Sequence, residues 1–135
     1  MKTGSCLCGA VRYEVDGPLR PVIVCHCKQC RKQTGSFMHA TAARDADFRL
    51  TETRSLAWHE ASAAAKCGFC RECGSALFWK AHGSDSISFT AGSIDGETGL
   101  LIDGHIYCDS AGDYYEIAGG RYRSRQWEPA PVSSS

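Results

Sequence analysis

Along the chain, apolar and polar residues alternate with a period of two in short runs broken by Gly, Asp, Ser and Thr. The three-to-four spacing of a long amphipathic helix persists nowhere. The pattern predicts strands over Ala10–Val15, Pro21–Cys25, Met38–Ala43, Phe48–Leu50, Leu56–His59, Ala76–Lys80, Ser86–Gly92, His105–Cys108 and Tyr114–Ile117. Alternation is cleanest where Ile87, Phe89 and Ala91 fall on one face and Ser86, Ser88 and Thr90 on the other. One short helix is predicted over Lys28–Thr34, stopped by Gly35 as a left-handed cap. Ile94-Asp95-Gly96 reads as a turn and Leu100–Ile102 as a brief buried segment. These elements add up to a mainly β fold with short helical turns. One domain is expected over residues 1–127, with a flexible tail over 128–135, where two prolines and three serines leave little to bury.

Composition narrows the classes. With 135 residues, 43% hydrophobic and 22% charged, the chain fits one globular core. Fifteen Lys and Arg balance fifteen Asp and Glu, so no excess field holds nucleic acid or an anionic membrane, and a small-molecule partner is expected. No run of 18 apolar residues exists, and the first residues lack the apolar stretch of a signal peptide, which leads to an expectation of a cytoplasmic protein. In a reducing compartment nine cysteines suggest metal rather than disulfides.

Seven of the nine fall into tight groups: Cys6-x-Cys8, Cys25-x-Cys27-x-x-Cys30 and Cys70-x-x-Cys73-Gly74. Residues i and i+2 of an extended segment point to one side, and a Cys-x-x-Cys turn brings its two thiols together, so each pair can serve one ion. Cys6, Cys8, Cys70 and Cys73 make the four-sulfur set of a closed structural zinc site. Cys25, Cys27 and Cys30 supply three thiolates, and an unassigned fourth position is what catalysis needs. Cys67 and Cys108 are spare. Cys108 reads as a small core residue and Cys67 as a partly buried free thiol, although either could close the second site. Lys28, Arg31 and Lys32 beside this cluster read as surface charges that together could attract an anionic thiol.

The residues Ser5-Cys6-Leu7-Cys8-Gly9-Ala10-Val11-Arg12-Tyr13, Cys25-His26-Cys27-Lys28-Gln29-Cys30-Arg31 with Gly35, and Phe69-Cys70-Arg71-Glu72-Cys73-Gly74-Ser75 resemble a known family. It is the glutathione-dependent formaldehyde-activating enzymes, whose domain is shared with centromere protein V. Ala91-Gly92-Ser93-Ile94-Asp95 and Gly104-His105-Ile106 are similar to its C-terminal half. The resemblance implies an Mss4-like zinc-containing β fold with two zinc ions. Cys6, Cys8, Cys70 and Cys73 match the structural site, and Cys25, Cys27 and Cys30 the functional one. It also implies a carbon-sulfur lyase acting on glutathione and formaldehyde, forming or cleaving S-(hydroxymethyl)glutathione.

The expected mechanism places a thiol at the second zinc for attack on an aldehyde carbon. His26 and His39 are the nearest candidates for proton transfer, with His26 read first as a packing or supporting residue because it lies between two ligands on an extended segment. Tyr107, Tyr114, Tyr115 and Trp127 could line a pocket but read as core aromatics, and no catalytic residue is assigned. The alternative function is a non-catalytic zinc-containing module that binds glutathione or another thiol. A zinc-ribbon nucleic-acid adaptor is disfavoured by the neutral charge and the lack of a basic stripe among aromatics.

Overall fold

A computed structural model describes residues 1–126, so the expected tail and Trp127 lie outside the described residues. The fold is mostly β with one short α-helix. In chain order the strands are β1 (Lys2–Ser5), β2 (Arg12–Val15), β3 (Val22–Cys25), β4 (Met38–Arg44), β5 (Phe48–Glu52) and β6 (Leu56–Glu60). They continue as β7 (Ala65–Cys70), β8 (Ala76–Ala81), β9 (Ser86–Thr90), β10 (Ile102–Ile106) and β11 (Tyr122–Arg123), and helix α1 (Lys28–Thr34) follows β3. They form a three-stranded antiparallel sheet, β1-β2-β5, and an eight-stranded sheet in the order β11-β10-β3-β4-β9-β8-β7-β6. Strand β10 runs parallel to both neighbours, and the other pairings are antiparallel.

The core lies where the small sheet covers the large one. Val11, Tyr13 and Val15 meet Ala43, Leu77, Phe78, Ile87 and Phe89 in one buried cluster. Tyr13, only 1% exposed, stacks on Phe48 at 5.1 Å and sets its edge against Phe78 and Phe89, while its hydroxyl reaches Ser93 Oγ at 2.7 Å. The ring crosses Gly4 so closely that any Cβ there would overlap it, which explains a glycine inside a strand. Among the described residues no helix is long and apolar enough to cross a membrane.

Several sequence expectations need correction. Strand β9 ends at Thr90, because Ser93 Oγ bonds the Thr90 carbonyl at 2.7 Å and Ala91–Ser93 close a 3-10 turn. Ala10 and Val11 belong to the turn that precedes β2. The segment Leu100–Ile102 is not buried: Leu101 is 81% exposed, and β10 begins at Ile102 and stops before Tyr107. Tyr114–Ile117 is not a strand but a turn region, within which the Tyr115 hydroxyl accepts from Gly112 N–H at 3.1 Å. Strands β1, β7 and β11 were not anticipated.

Candidate functional site

Two cysteine clusters stand out, each with sulfurs lying within 4.8 Å of one another: Cys6, Cys8, Cys70 and Cys73 in one, Cys25, Cys27 and Cys30 in the other. In the first, two tight turns face each other. Gly9 N–H bonds the Cys6 carbonyl at 3.1 Å, and Gly74 N–H bonds the Cys70 carbonyl at 2.8 Å. Both glycines are left-handed, at φ 80° and 79°, a conformation that closes a turn without Cβ strain. Cys6 and Cys8 sulfurs are 3.6 Å apart, as are those of Cys8 and Cys70. A tetrahedron with bonds of about 2.3 Å has edges of about 3.8 Å, so the four sulfurs fit a structural zinc.

The surroundings favour thiolates at Cys70 and Cys73, whereas at Cys8 the Ala10 N–H is outweighed by burial and the neighbouring thiols, which push its pKa up. Val11 N–H points at Cys6 Sγ at 3.3 Å, Cys73 N–H at Cys70 Sγ at 3.4 Å, and the hydroxyls of Ser55 and Ser75 at Cys70 and Cys73 at 3.0 and 3.2 Å. The Ser75 hydroxyl and N–H pull the Cys73 thiol down to about 5. Burial opposes ionisation of Cys70, and Ser55 with the N–H groups of Cys73 and Glu72 outweighs it, so its pKa is lowered.

The second cluster sits where β3 turns into α1. Cys25 ends the strand, and Cys27 is the helix N-cap, its sulfur accepting from Cys30 N–H at 3.3 Å. Cys30 lies in the first turn and is buried. Gly35 closes the helix in the left-handed conformation at φ 87°, its N–H bonding the Arg31 carbonyl at 2.9 Å. Contacts with the Cys25 and Cys30 thiols lower the Cys27 pKa, and contacts with the Cys25 and Cys27 thiols raise that of Cys30, so negative charge concentrates on Cys27. The donor set is soft and compact, as zinc requires, and one donor short of a closed tetrahedron among the described residues.

Neither spare cysteine joins a cluster. Cys67, in β7, is buried rather than partly buried and lines a cavity of about 250 Å³ with Gln33, Met38, His59 and Phe69. Cys108 is not core: it is half-buried at the start of the 3-10 turn Cys108–Ser110. Lys28 and Lys32 are exposed on α1 and Arg31 is half-buried; none forms an ion pair among the described residues.

His26, fully buried, belongs to a chain of hydrogen bonds that the sequence did not disclose. His105 Nε2 faces two carbonyls, of Ala118 at 3.1 Å and Gly119 at 3.0 Å, and must carry a hydrogen. In neutral His105, Nδ1 is then an acceptor, so His26 Nε2, 2.9 Å away, is the donor. His26 Nδ1 in turn accepts from the Tyr115 hydroxyl at 2.8 Å, and that oxygen accepts from Gly112 N–H. Every atom is used, with both rings neutral. Burial, reinforced by His105 and His39, lowers the His26 pKa to about 4, in keeping with this assignment. His39 is half-buried against Phe37 at 5.1 Å, and burial lowers its pKa too.

Comparison with known proteins gives concordant results. The family described as glutathione-dependent formaldehyde-activating enzyme matches residues 1–110. An uncharacterised lyase of Schizosaccharomyces pombe is 25% identical over 117 residues, covering 85% of this chain and 84% of its own length. A crystal structure of a Rhodobacter sphaeroides protein superposes with a TM-score of 0.57 at 26% identity, over 74% of this chain and 97% of the other.

Proposed function

Because the chain belongs to the family of glutathione-dependent formaldehyde-activating enzymes, we propose that it is a carbon-sulfur lyase. It joins a glutathione-like thiol to a small aldehyde such as formaldehyde, or cleaves the resulting S-hydroxymethyl adduct. The observation that carries this reading is the inequality of the clusters, four sulfurs in one and three in the other. Closed four-sulfur sets hold folds together, whereas three-ligand sets leave a position for substrate.

Cys25, Cys27 and Cys30 would hold zinc, which when bound would supply the Lewis acidity that makes a thiol more acidic. The remaining tasks fall to the protein. Lys28 and Lys32 draw the carboxylates of a glutathione-like thiol toward α1. The N–H of Cys30 fixes the Cys27 sulfur, and the His26–His105 pair anchors the Cys25-His26-Cys27 segment from its buried side. Both imidazoles have every ring nitrogen engaged, so the proton released from the thiol passes to solvent rather than to His26. Nine free thiols suit a reducing compartment, and the cytoplasm is the proposed setting, with residues 1–127 as a single domain.

Zinc content, measured by elemental analysis, should be two per chain. After exchange to cobalt, glutathione should change the metal spectrum, and the purified protein should speed adduct formation above the spontaneous rate. Saturable glutathione binding without acceleration would make the protein a thiol-binding module. One zinc per chain, or a spectrum indifferent to every thiol, would remove the functional role of the second cluster.

A further inference from the structure

Helix α1 is tied to the turn between β6 and β7 by Gln29, whose Nε2 donates to the Ala61 carbonyl at 3.3 Å. Between the helix and these strands lies the cavity of about 250 Å³ that Cys67 lines. Its lining mixes elements remote in sequence: Gln33 from α1, Met38 from β4, His59 from β6, Cys67 from β7, and Ala76 and Leu77 from β8. Cys67 and Leu77 are buried and Met38 and Ala76 half-buried, whereas Gln33 and His59 are exposed, so the cavity opens to solvent at the last two. Small side chains leave the space: Cys67 and Ala76 stand where a leucine would fill part of it.

Two of these residues belong to the elements that carry or flank the three-sulfur cluster. Met38 is the register partner of Cys25 in the antiparallel pair β3–β4, and side chains directly opposite in such a pair stand on one face of the sheet with Cβ atoms about 5 Å apart. Gln33 follows Cys30 by three positions on α1, so the two are neighbours on one side of the helix. A ligand whose sulfur lies with Cys25, Cys27 and Cys30 has this cavity beside it, with Met38 between. The chemistry of the lining says which part of the ligand enters. No lysine or arginine lines the cavity among the described residues, and most of its lining is apolar, so the carboxylates of a glutathione-like thiol would lose hydration there without a partner. The exposed Lys28 and Lys32 suit them instead. A dry cavity of about 150 Å³ already admits benzene, and this one is larger.

We propose that this cavity receives the apolar substituent of the aldehyde, and that the carbonyl substrates of this protein include aldehydes carrying a chain or ring of about six carbons. The proposal rests on the lyase reading above and names the substrate class of the same site. In the addition a sulfur lone pair forms the C–S bond, the C=O π pair moves onto oxygen, and the proton lost by the thiol reaches that oxygen through water. Nothing is oxidised or reduced. The substituent on the former carbonyl carbon then passes Met38 into the cavity, whereas formaldehyde has no group that reaches it.

The test compares ligands that differ only in the substituent, on zinc-loaded protein. By calorimetry, S-hexylglutathione should bind about tenfold more tightly than S-methylglutathione, and kcat/KM with glutathione should be about tenfold higher for hexanal than for acetaldehyde. Filling the cavity should erase both preferences: in Cys67→Leu each ratio should fall to within about twofold of one. Should Cys67→Leu fail to fold, Ala76→Leu must show the same fall. A parent that forms the formaldehyde adduct but lacks either preference overturns this proposal alone, and so does a preference that survives filling. A parent that accelerates addition to no aldehyde overturns the lyase reading and this proposal with it.

Discussion

At the scale of residues, the hydrogen-bonded chain from Tyr115 through His26 to His105 has a definite cost of disruption. Tyr115→Phe leaves His26 Nδ1 buried with no donor, and an unsatisfied buried acceptor costs about 1–3 kcal/mol, to be read from the denaturation midpoint. The same chain sets a pH dependence. The folded His26 pKa lies near 4, below the unfolded value of 6.5, so the unfolded chain binds the extra proton first. The stabilisation is complete above pH 6.5 and is lost as pH falls toward 4. In His26→Gln the slope of unfolding free energy over that window should shrink by about one proton, measured on zinc-loaded protein. Tyr107 carries the opposite kind of cost: relieving its left-handed backbone, at φ 54°, with glycine removes about 1–2 kcal/mol of strain, offset by the greater flexibility of glycine when unfolded.

At the scale of elements, α1 depends on its own candidate ligand, since Cys27 caps it. Serine is among the best N-caps, so Cys27→Ser should keep the helix and the fold while losing one zinc of two. Cys27→Ala should lose the same zinc and about 1 kcal/mol besides. Elemental analysis beside urea denaturation separates the two effects, and loss of both zincs from a folded Cys27→Ser protein would contradict the division of roles. This helix was legible because a polar seven-residue run ends in glycine, and β9 because Ile87 and Phe89 alternate with serines and a threonine. Strand β7 was not: Ala-Lys-Cys-Gly-Phe-Cys carries no alternation, and its Gly68 is there because Phe78 and Trp58 leave no room for a Cβ. Strand β1 pairs with the nearby β2, and its polar residues gain partners remote in sequence, Thr3 and Ser5 bonding Asp95 at 3.1 and 2.8 Å. Spacing alone grouped the seven cysteines as the fold groups them. It could not reveal the bonds that His105 and Tyr115 make to His26, which depend on a parallel strand pairing and on a turn remote in sequence.

At the scale of the whole molecule, the four-sulfur cluster spans the chain, joining Cys8 to Cys70 across 62 positions and so the turn after β1 to the end of β7. A cross-link closing a loop of that length stabilises by about 4 kcal/mol in the chain-entropy picture, before any bond energy is counted. Cys70→Ala should therefore lower the melting temperature steeply and release both zincs as the fold opens, in contrast to Cys27→Ser. The cysteine clusters and the residues that follow them in the chain also differ in when they come into being. All seven clustered cysteines lie within the first 73 residues, whereas His105 and Tyr115 follow much later. Synthesis runs from the N-terminus, so the thiols leave the ribosome while those later residues are still in its tunnel. A chain arrested on the ribosome once Cys73 has emerged therefore carries every clustered cysteine and none of the later residues that buttress His26, and its metal uptake would show whether the clusters form before that support does.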